Sequence, residues 1–286
     1  MLRRSPSFPV WCHQSTSTVL IRASTAPTRW PRPRDPRWPG LLVKLLGAPV
    51  AVLVDAASYL FAAVVVATLP VRERPVATTR MPNLRREIRD GMAWVYRESG
   101  LATLAIATHV WFAANAVLGA VVAPFALLTL GLSPLEFGIT TAPGGLGALV
   151  GASTTGGGGR RLGTGGAVIT AHLVTTVGVG LMVVAGLGTS GWVAAAVLGV
   201  GQAGHGFGMG FGNSHEMSYR QSRTPDELQA RTNTTMRSFN RAVIVVVAPL
   251  GGLLADSAGV RPALVVAAAV FGASALMLAV SSFRRA

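Results

Sequence analysis

The residues of this chain that could do chemistry are few, and most of them lie inside apolar stretches. Asp55 sits near the middle of one such stretch. An ionisable group at the bilayer centre costs at least ~2.5–3.5 kcal/mol on insertion scales, so it needs a reason. Two are open: a proton-coupling or substrate-facing carboxylate with a pKa raised by desolvation, or a structural acid hydrogen-bonded within a helix bundle. His109 and Asn115 are six residues apart and point in different directions on a helix, whereas Trp111 and Asn115 share a face that Phe112 adjoins. That aromatic and amide patch suits a flat, mostly apolar ligand. It equally suits a lipid-facing Trp with a satisfied Asn.

The stretch GVGQAGHGFGMGFGNSHE at 199–216 has glycine at almost every second position to 212. It lacks the strand-turn-helix context of a nucleotide-binding loop and lies within a span, so close helix packing is the expected role. Gln202, His205 and Asn213 are then the polar groups available to a cavity, with His205 either a titrating group or a structural hydrogen-bonder. His215 and Glu216 fall past the end of that span and are expected to face water. The spacings include no metal-ligand cluster, paired catalytic carboxylates, Ser/His dyad or Walker pattern, so neither an enzyme nor an ATP-driven pump is expected and no cofactor is implied. Cys12 is alone and has no disulfide partner in the chain.

The elements that must position these groups follow from composition. Mean hydropathy is +0.49, half the 286 residues are hydrophobic and 13% are charged, about half the charged fraction of an average soluble chain. The formal net charge of +14 is spread between apolar runs rather than along one soluble face, which excludes a nucleic-acid binder. Hydrophobic stretches near the ~20 residues needed to cross a bilayer recur at about 43–69, 101–130, 135–155, 166–187, 191–213, 236–256 and 261–283. The expectation is an all-α polytopic bundle of about seven spans.

Three connections are short (131–134, 188–190, 257–260), two are long and polar (70–100, 214–235), and one, GGGGRRLGTGG at 156–166, is glycine-rich. Sixteen arginines fall on one side of the bundle, among them Arg160, Arg161 and Arg231, against Arg261 on the other. The positive-inside rule then makes the C-terminus and both long loops cytoplasmic, in a plasma membrane. Within 70–100, Leu84, Ile88, Met92, Val95 and Tyr96 alternate with Arg85, Arg86, Arg89 and Asp90, the pattern of an interfacial helix on anionic lipid.

Residues 1–40 are rich in Arg, Pro, Ser and Trp without hydrophobic period, and are expected to be disordered. Their basic charge would lie on the wrong side of the membrane. They are therefore expected to be foreign to the fold and to stand where upstream spans are missing.

Several segments resemble the major facilitator superfamily, in the exporter branch that includes enterobactin exporters and macrolide efflux proteins. LLVKLLGAPVAVLVDAASYLFAAVVVATLPVRERP at 41–75 is similar to its sixth span. LRREIRDGMAWVYRES at 84–99 is similar to the segment before its seventh. LGLSPLEFGITTAPGGLGALVGA at 130–152, RQSRTPDELQARTNTTMRS at 220–238 and APLGGLLADSAGVRPAL at 248–264 resemble later turns and hairpins. The resemblance implies span six with its interdomain loop at 41–100 and a C-terminal six-helix half at 101–286, containing two inverted three-helix repeats. It implies export of small, partly hydrophobic compounds by proton antiport, with lipid and a small-molecule substrate as partners. Self-association or pairing with a missing N-terminal half would complete the cavity, and a truncated, non-transporting chain is the alternative. Arg160 and Arg161 occupy the family's eight–nine loop without its usual acid, and Arg231 lies in the ten–eleven loop; these are the gating candidates.

Overall fold

The computed structural model describes residues 53, 56–68, 84–188 and 190–285. The expectations for residues 1–40 and for Asp55 lie outside them. Among the described residues every regular element is helical. α1 is Ala56–Ala67 and α2 is Leu84–Ala93, which widens into a π-turn at Trp94–Glu98. α3 (Ala102–Pro124) likewise ends in a π-turn, Phe125–Thr129. α4 (Pro134–Val184), α5 (Gly191–Arg223), α6 (Asp226–Ala258) and α7 (Val260–Val280) follow, and Ser282–Arg285 forms a 3-10 turn.

Among the described residues, four helical stretches are long and apolar enough to cross a membrane: Ala102–Thr129, Pro134–Val184, Asp226–Ala258 and Val260–Val280. The second of these contains two spans. Gly163 has φ 67° and ψ 171°, a conformation that a residue with a Cβ rarely adopts, and it breaks the 51-residue α4 into two segments. The packing shows that the chain reverses there. Gly147 and Gly151 of the first segment meet residues 203–211 of α5 in the same order, whereas Gly178 and Ala171 of the second meet residues 201–212 in the opposite order. α5 is the remaining long helix among the described residues. Its glycines hold its hydropathy down, but its length of 33 residues spans ~50 Å at 1.5 Å per residue.

Two expected loops prove largely helical. Residues 156–162 continue the first segment of α4, because Gly158 and Gly159 are covered rather than left to water: the Phe211 ring packs on Gly158 and the His215 ring on Gly159. The polar stretch 214–235 prolongs α5 to Arg223 and starts α6 at Asp226, with only Thr224 and Pro225 between them. Hydropathy marks the extent of hydrocarbon, and helices can continue beyond it.

Ser133 starts α4 with a capping box, receiving the Glu136 N–H while its own N–H donates to the Glu136 carboxylate at 2.7 Å. At the same end of the bundle, Arg261 donates to the Val183 carbonyl, where α4 runs out of internal donors, and its guanidinium lies 5.0 Å from the Phe125 ring centre. Arg261 thus serves as a helix cap.

The core lies between α3, the second segment of α4, α5 and α7, with Val117, Val121, Phe125, Met182, Leu198, Leu264 and Phe271 at its centre. α6 is peripheral, and Val245, Val246, Leu250 and Leu253 are exposed on it, as suits side chains facing lipid. The described large apolar side chains of α1 are all exposed too, Tyr59 and Leu60 by about two thirds or more (71% and 68%).

α2 does not lie free on a leaflet. Gly91 backs onto Thr235 and the Arg231 backbone of α6, and Val95 is buried with Ala105 and Met236. Ile88 and Met92 remain exposed beside exposed Arg85 and Arg89, so one edge of the expected interfacial face persists.

Candidate functional site

The chemically capable side chains gather on the facing sides of α3, α4, α5 and α7. Asn115 lies about 20 Å along α3 from Ala102 and His205 about 21 Å along α5 from Gly191, at ~1.5 Å per residue, so both are near mid-depth. His205 Nε2–H donates to the Asn115 side-chain carbonyl at 3.1 Å. Trp111, one helical turn from Asn115, lays its indole parallel to the His205 ring, at 5.9 Å between centroids and 10° between planes. Phe271 of α7 closes this stack edge-on to both, at 5.4 Å from Trp111 and 5.9 Å from His205. Phe112 sits edge-on to Trp111 at 5.3 Å.

The sequence-level patch of Trp111, Phe112 and Asn115 is therefore a protein-facing cluster, and Trp111 is buried. Phe271 is fully buried and Trp111 nearly so, which leaves the half-buried Phe112, Asn115 and His205 as the accessible part: a ring, the Asn115 amide N–H donors and the unprotonated His205 Nδ1 as acceptor. Gln202 is half-buried against Gly144 of α4 and is not joined to this cluster. Asn213 is exposed.

A second polar group lies nearer the arginine-rich end. Glu216, expected to face water, has a side chain only 14% exposed, and His215 is buried with its Nε2 unpartnered. The extension of α5 to Arg223 is the cause, since both residues lie inside the helix and against α4. Glu216 accepts from the Thr108 hydroxyl at 3.0 Å and faces His172 Nε2 at 3.4 Å, and His172 Nδ1 lies 2.9 Å from the Ser274 hydroxyl. His172 received no role from the sequence, although a histidine within the apolar run 166–187 is the same signal that singled out His205.

A third cluster fastens α2 to the bundle. His109 Nδ1–H donates to the Asn240 carbonyl at 2.6 Å, so the neutral ring must accept at Nε2, from the Tyr96 hydroxyl at 2.7 Å. Burial pushes the Tyr96 phenol above its ordinary pKa, which keeps it a donor. Phe239 stacks on His109 at 5.6 Å. Nearby, Arg231 pairs with Glu87 of α2 at 3.7 Å, both side chains well exposed. Arg160 and Arg161 are exposed at the Gly163 reversal.

These contacts should differ in worth. Tyr96→Phe leaves His109 short of a donor inside the protein and is expected to cost about 1–2 kcal/mol. Arg231→Ala removes an exposed pair and is expected to cost less than about 1 kcal/mol. Denaturant titration of both variants in detergent checks the order.

An open apolar groove of about 700 Å³ lies elsewhere, on the outer seam of α4 and α5, lined by Pro143, Leu146, Val177 and Val200 among others. Leu146, Val177 and Val200 are more than half exposed (55%, 63% and 60%), and the groove contains none of the polar clusters. We assign it to lipid.

No curated protein matches the chain. The sequence model of the Major Facilitator Superfamily matches residues 38–246, which takes in α1 to α5 and α6 as far as Val246. Helices of spanning length, a chain reversal at Gly163 and polar groups held at mid-depth are what such a transporter requires, and on that match the chain belongs to the Major Facilitator Superfamily.

Proposed function

We propose that this protein is a secondary-active exporter of small, partly hydrophobic compounds, of drug or siderophore type, driven by proton antiport across the plasma membrane. The arginine-rich end and the C-terminus then face the cytoplasm. The carrying observation is the mid-depth cluster. Phe112, Asn115 and His205 are partly exposed there over the buried Trp111 and Phe271, so a ring, an amide and an imidazole are available together to a small amphipathic solute. The test is the chain reconstituted in liposomes with an imposed pH gradient and a panel of flat amphipathic fluorophores. Gradient-dependent movement abolished by a protonophore is expected; movement indifferent to the gradient would overturn proton antiport.

A second reading is favoured by α1, whose described apolar side chains remain exposed. On this reading the chain transports only when paired with a second helical half or a second copy. Transport that appears only on co-reconstitution with the N-terminal half of a related transporter, or that rises with the square of chain density, would support it.

A further inference from the structure

Arg220, one turn beyond Glu216 on α5, holds a guanidinium that its neighbours do not satisfy. Its Nη1 and Nη2 donate to the thioether sulfurs of Met236 and Met217 at 3.4 and 2.8 Å, and its Nε–H is buried with no acceptor. A thioether is a weak acceptor, and a guanidinium keeps its charge at any working pH. Withdrawing such a charge from water is costly unless an oxyanion or several good acceptors face it.

The acids nearby are already engaged. Glu216 is close enough for its charge to act on Arg220, but its two oxygens meet the Thr108 hydroxyl and the His172 ring. Glu87 pairs with Arg231. The exposed Arg237 of α6 is also within electrostatic range of Arg220. Among the described residues neither guanidinium has a carboxylate at ion-pair distance. Thr232, one turn before Met236 on the same face of α6, is fully buried with its hydroxyl unpartnered. Two like charges thus share the corner between α5 and α6, and two donors there, Arg220 Nε–H and Thr232 Oγ1–H, are unmet.

We propose that Arg220 and Arg237 form an oxyanion-binding site at the arginine-rich end of the bundle, fitted to a carboxylate or phosphate group. A planar guanidinium presents Nε–H and one Nη–H side by side, the fork that takes two oxygens of one such group. Arg237 supplies the second charge, and an anion between the two relieves their repulsion. Met217 and Met236 are flexible neighbours that can yield to a better acceptor.

The site is separate from the mid-depth cluster. Arg220 lies about 22 Å along α5 from His205 at ~1.5 Å per residue, too far for one small solute to touch both. The link to transport rests on the export reading above and sharpens it: the solutes are partly hydrophobic acids, held first by their anionic group at this end. The same chemistry is found in the headgroup of an anionic lipid, the other source of an oxyanion at this depth.

Inorganic phosphate is the probe, titrated into the full chain in neutral detergent at constant ionic strength and followed by calorimetry and thermal unfolding. Saturable binding is expected, weakened about tenfold or more in Arg220→Gln, less in Arg237→Gln, and unchanged in Arg284→Gln, an exposed arginine at the same end. Arg220→Lys keeps the charge and loses the fork, so it should also weaken binding. Full binding in Arg220→Lys, or equal loss in Arg284→Gln, would mean only a diffuse positive field and would overturn the site. If Arg220→Gln fails to fold, the wild-type chain still decides: phosphate should slow phenylglyoxal modification of Arg220, read by peptide mass spectrometry, and no protection at saturating phosphate would overturn the site.

Nanodiscs distinguish the two sources. Phosphate binding that falls as phosphatidylglycerol replaces phosphatidylcholine makes the lipid headgroup the occupant, and binding indifferent to that exchange assigns the site to a soluble acid. In liposomes, uptake of an acidic fluorophore relative to its uncharged ester should fall about tenfold in Arg220→Gln. A ratio kept at the wild-type value would overturn the role in solute choice. A wild-type chain that transports nothing would sink the export reading alone, since the phosphate titration still decides the site.

Discussion

Gly206→Val should largely destroy the folded bundle, while Gly145→Val should leave it nearly unchanged. A Cβ on Gly206 would run into the Gly144 carbonyl of the first α4 segment, and one on Gly210, a turn later, into the Ala148 carbonyl. The facing row is just as tight: Gly147 meets the Ala203 carbonyl and Gly151 the Phe207 carbonyl. The two helices therefore touch backbone to backbone over two turns, the close approach that small residues permit in lipid, where apolar burial alone does not draw helices together. A new side chain against a rotatable neighbour can be relieved. One against a main-chain oxygen moves the whole helix, so the cost should lie at or above the upper end of the ~1–3 kcal/mol usual for overpacking. Gly145 has nothing within 4 Å of its would-be Cβ and faces away from this seam. Unfolding of the two purified variants in detergent, by heat or denaturant, reads the contrast. Equal stability of the two would mean that the α4–α5 seam is looser than drawn.

The glycine stripe was legible in the sequence because its spacing leaves α5 smooth on more than one face, and the structure uses two of them. Gly206 and Gly210 meet the first segment of α4, and Gly201, Gly204 and Gly208 meet the second, where Gly178 would place a Cβ 2.7 Å from the Gly201 carbonyl. Trp111, Phe112 and Asn115 were legible as a group for the same reason, since helical period alone puts them on adjoining faces. The partners that give them meaning were not. His205 is 90 residues from Asn115, and Ser274 is 102 from His172, separations over which a single sequence carries no pairing signal. Glu216 was misplaced by a different route. A span boundary set at 213 by hydropathy put it in water, whereas α5 continues ten residues farther under a cover supplied by α3 and α4. The glycine-rich 156–166 looks like a loop in sequence, but glycine signals a break only where nothing packs on it, and Phe211 and His215 cover Gly158 and Gly159.

Trp111→Ala is expected to be the most damaging change in the candidate solute site, and its value lies in what it separates. Trp111 is buried, and its indole is shared by Phe112, His172, His205 and Phe271. Truncation should cost about 3–5 kcal/mol from lost burial and the cavity left behind. Much of that is packing, so stability alone would not distinguish a ligand platform from a core aromatic. A double-mutant cycle with His205→Ala does. If the parallel stack is a specific contact, its coupling should be about 0.5–1.5 kcal/mol, and a coupling near zero would reduce Trp111 to volume. Asn115→Leu supplies the polar counterpart. It leaves His205 Nε2–H without its acceptor at mid-depth, at an expected cost of about 1–3 kcal/mol. A solute that stacks on this surface and hydrogen-bonds the histidine would recover part of the Asn115→Leu loss when added, by filling the vacant partner, but would recover none of the Trp111→Ala loss. Stabilisation of both variants alike by the same solute would place its binding somewhere other than this cluster.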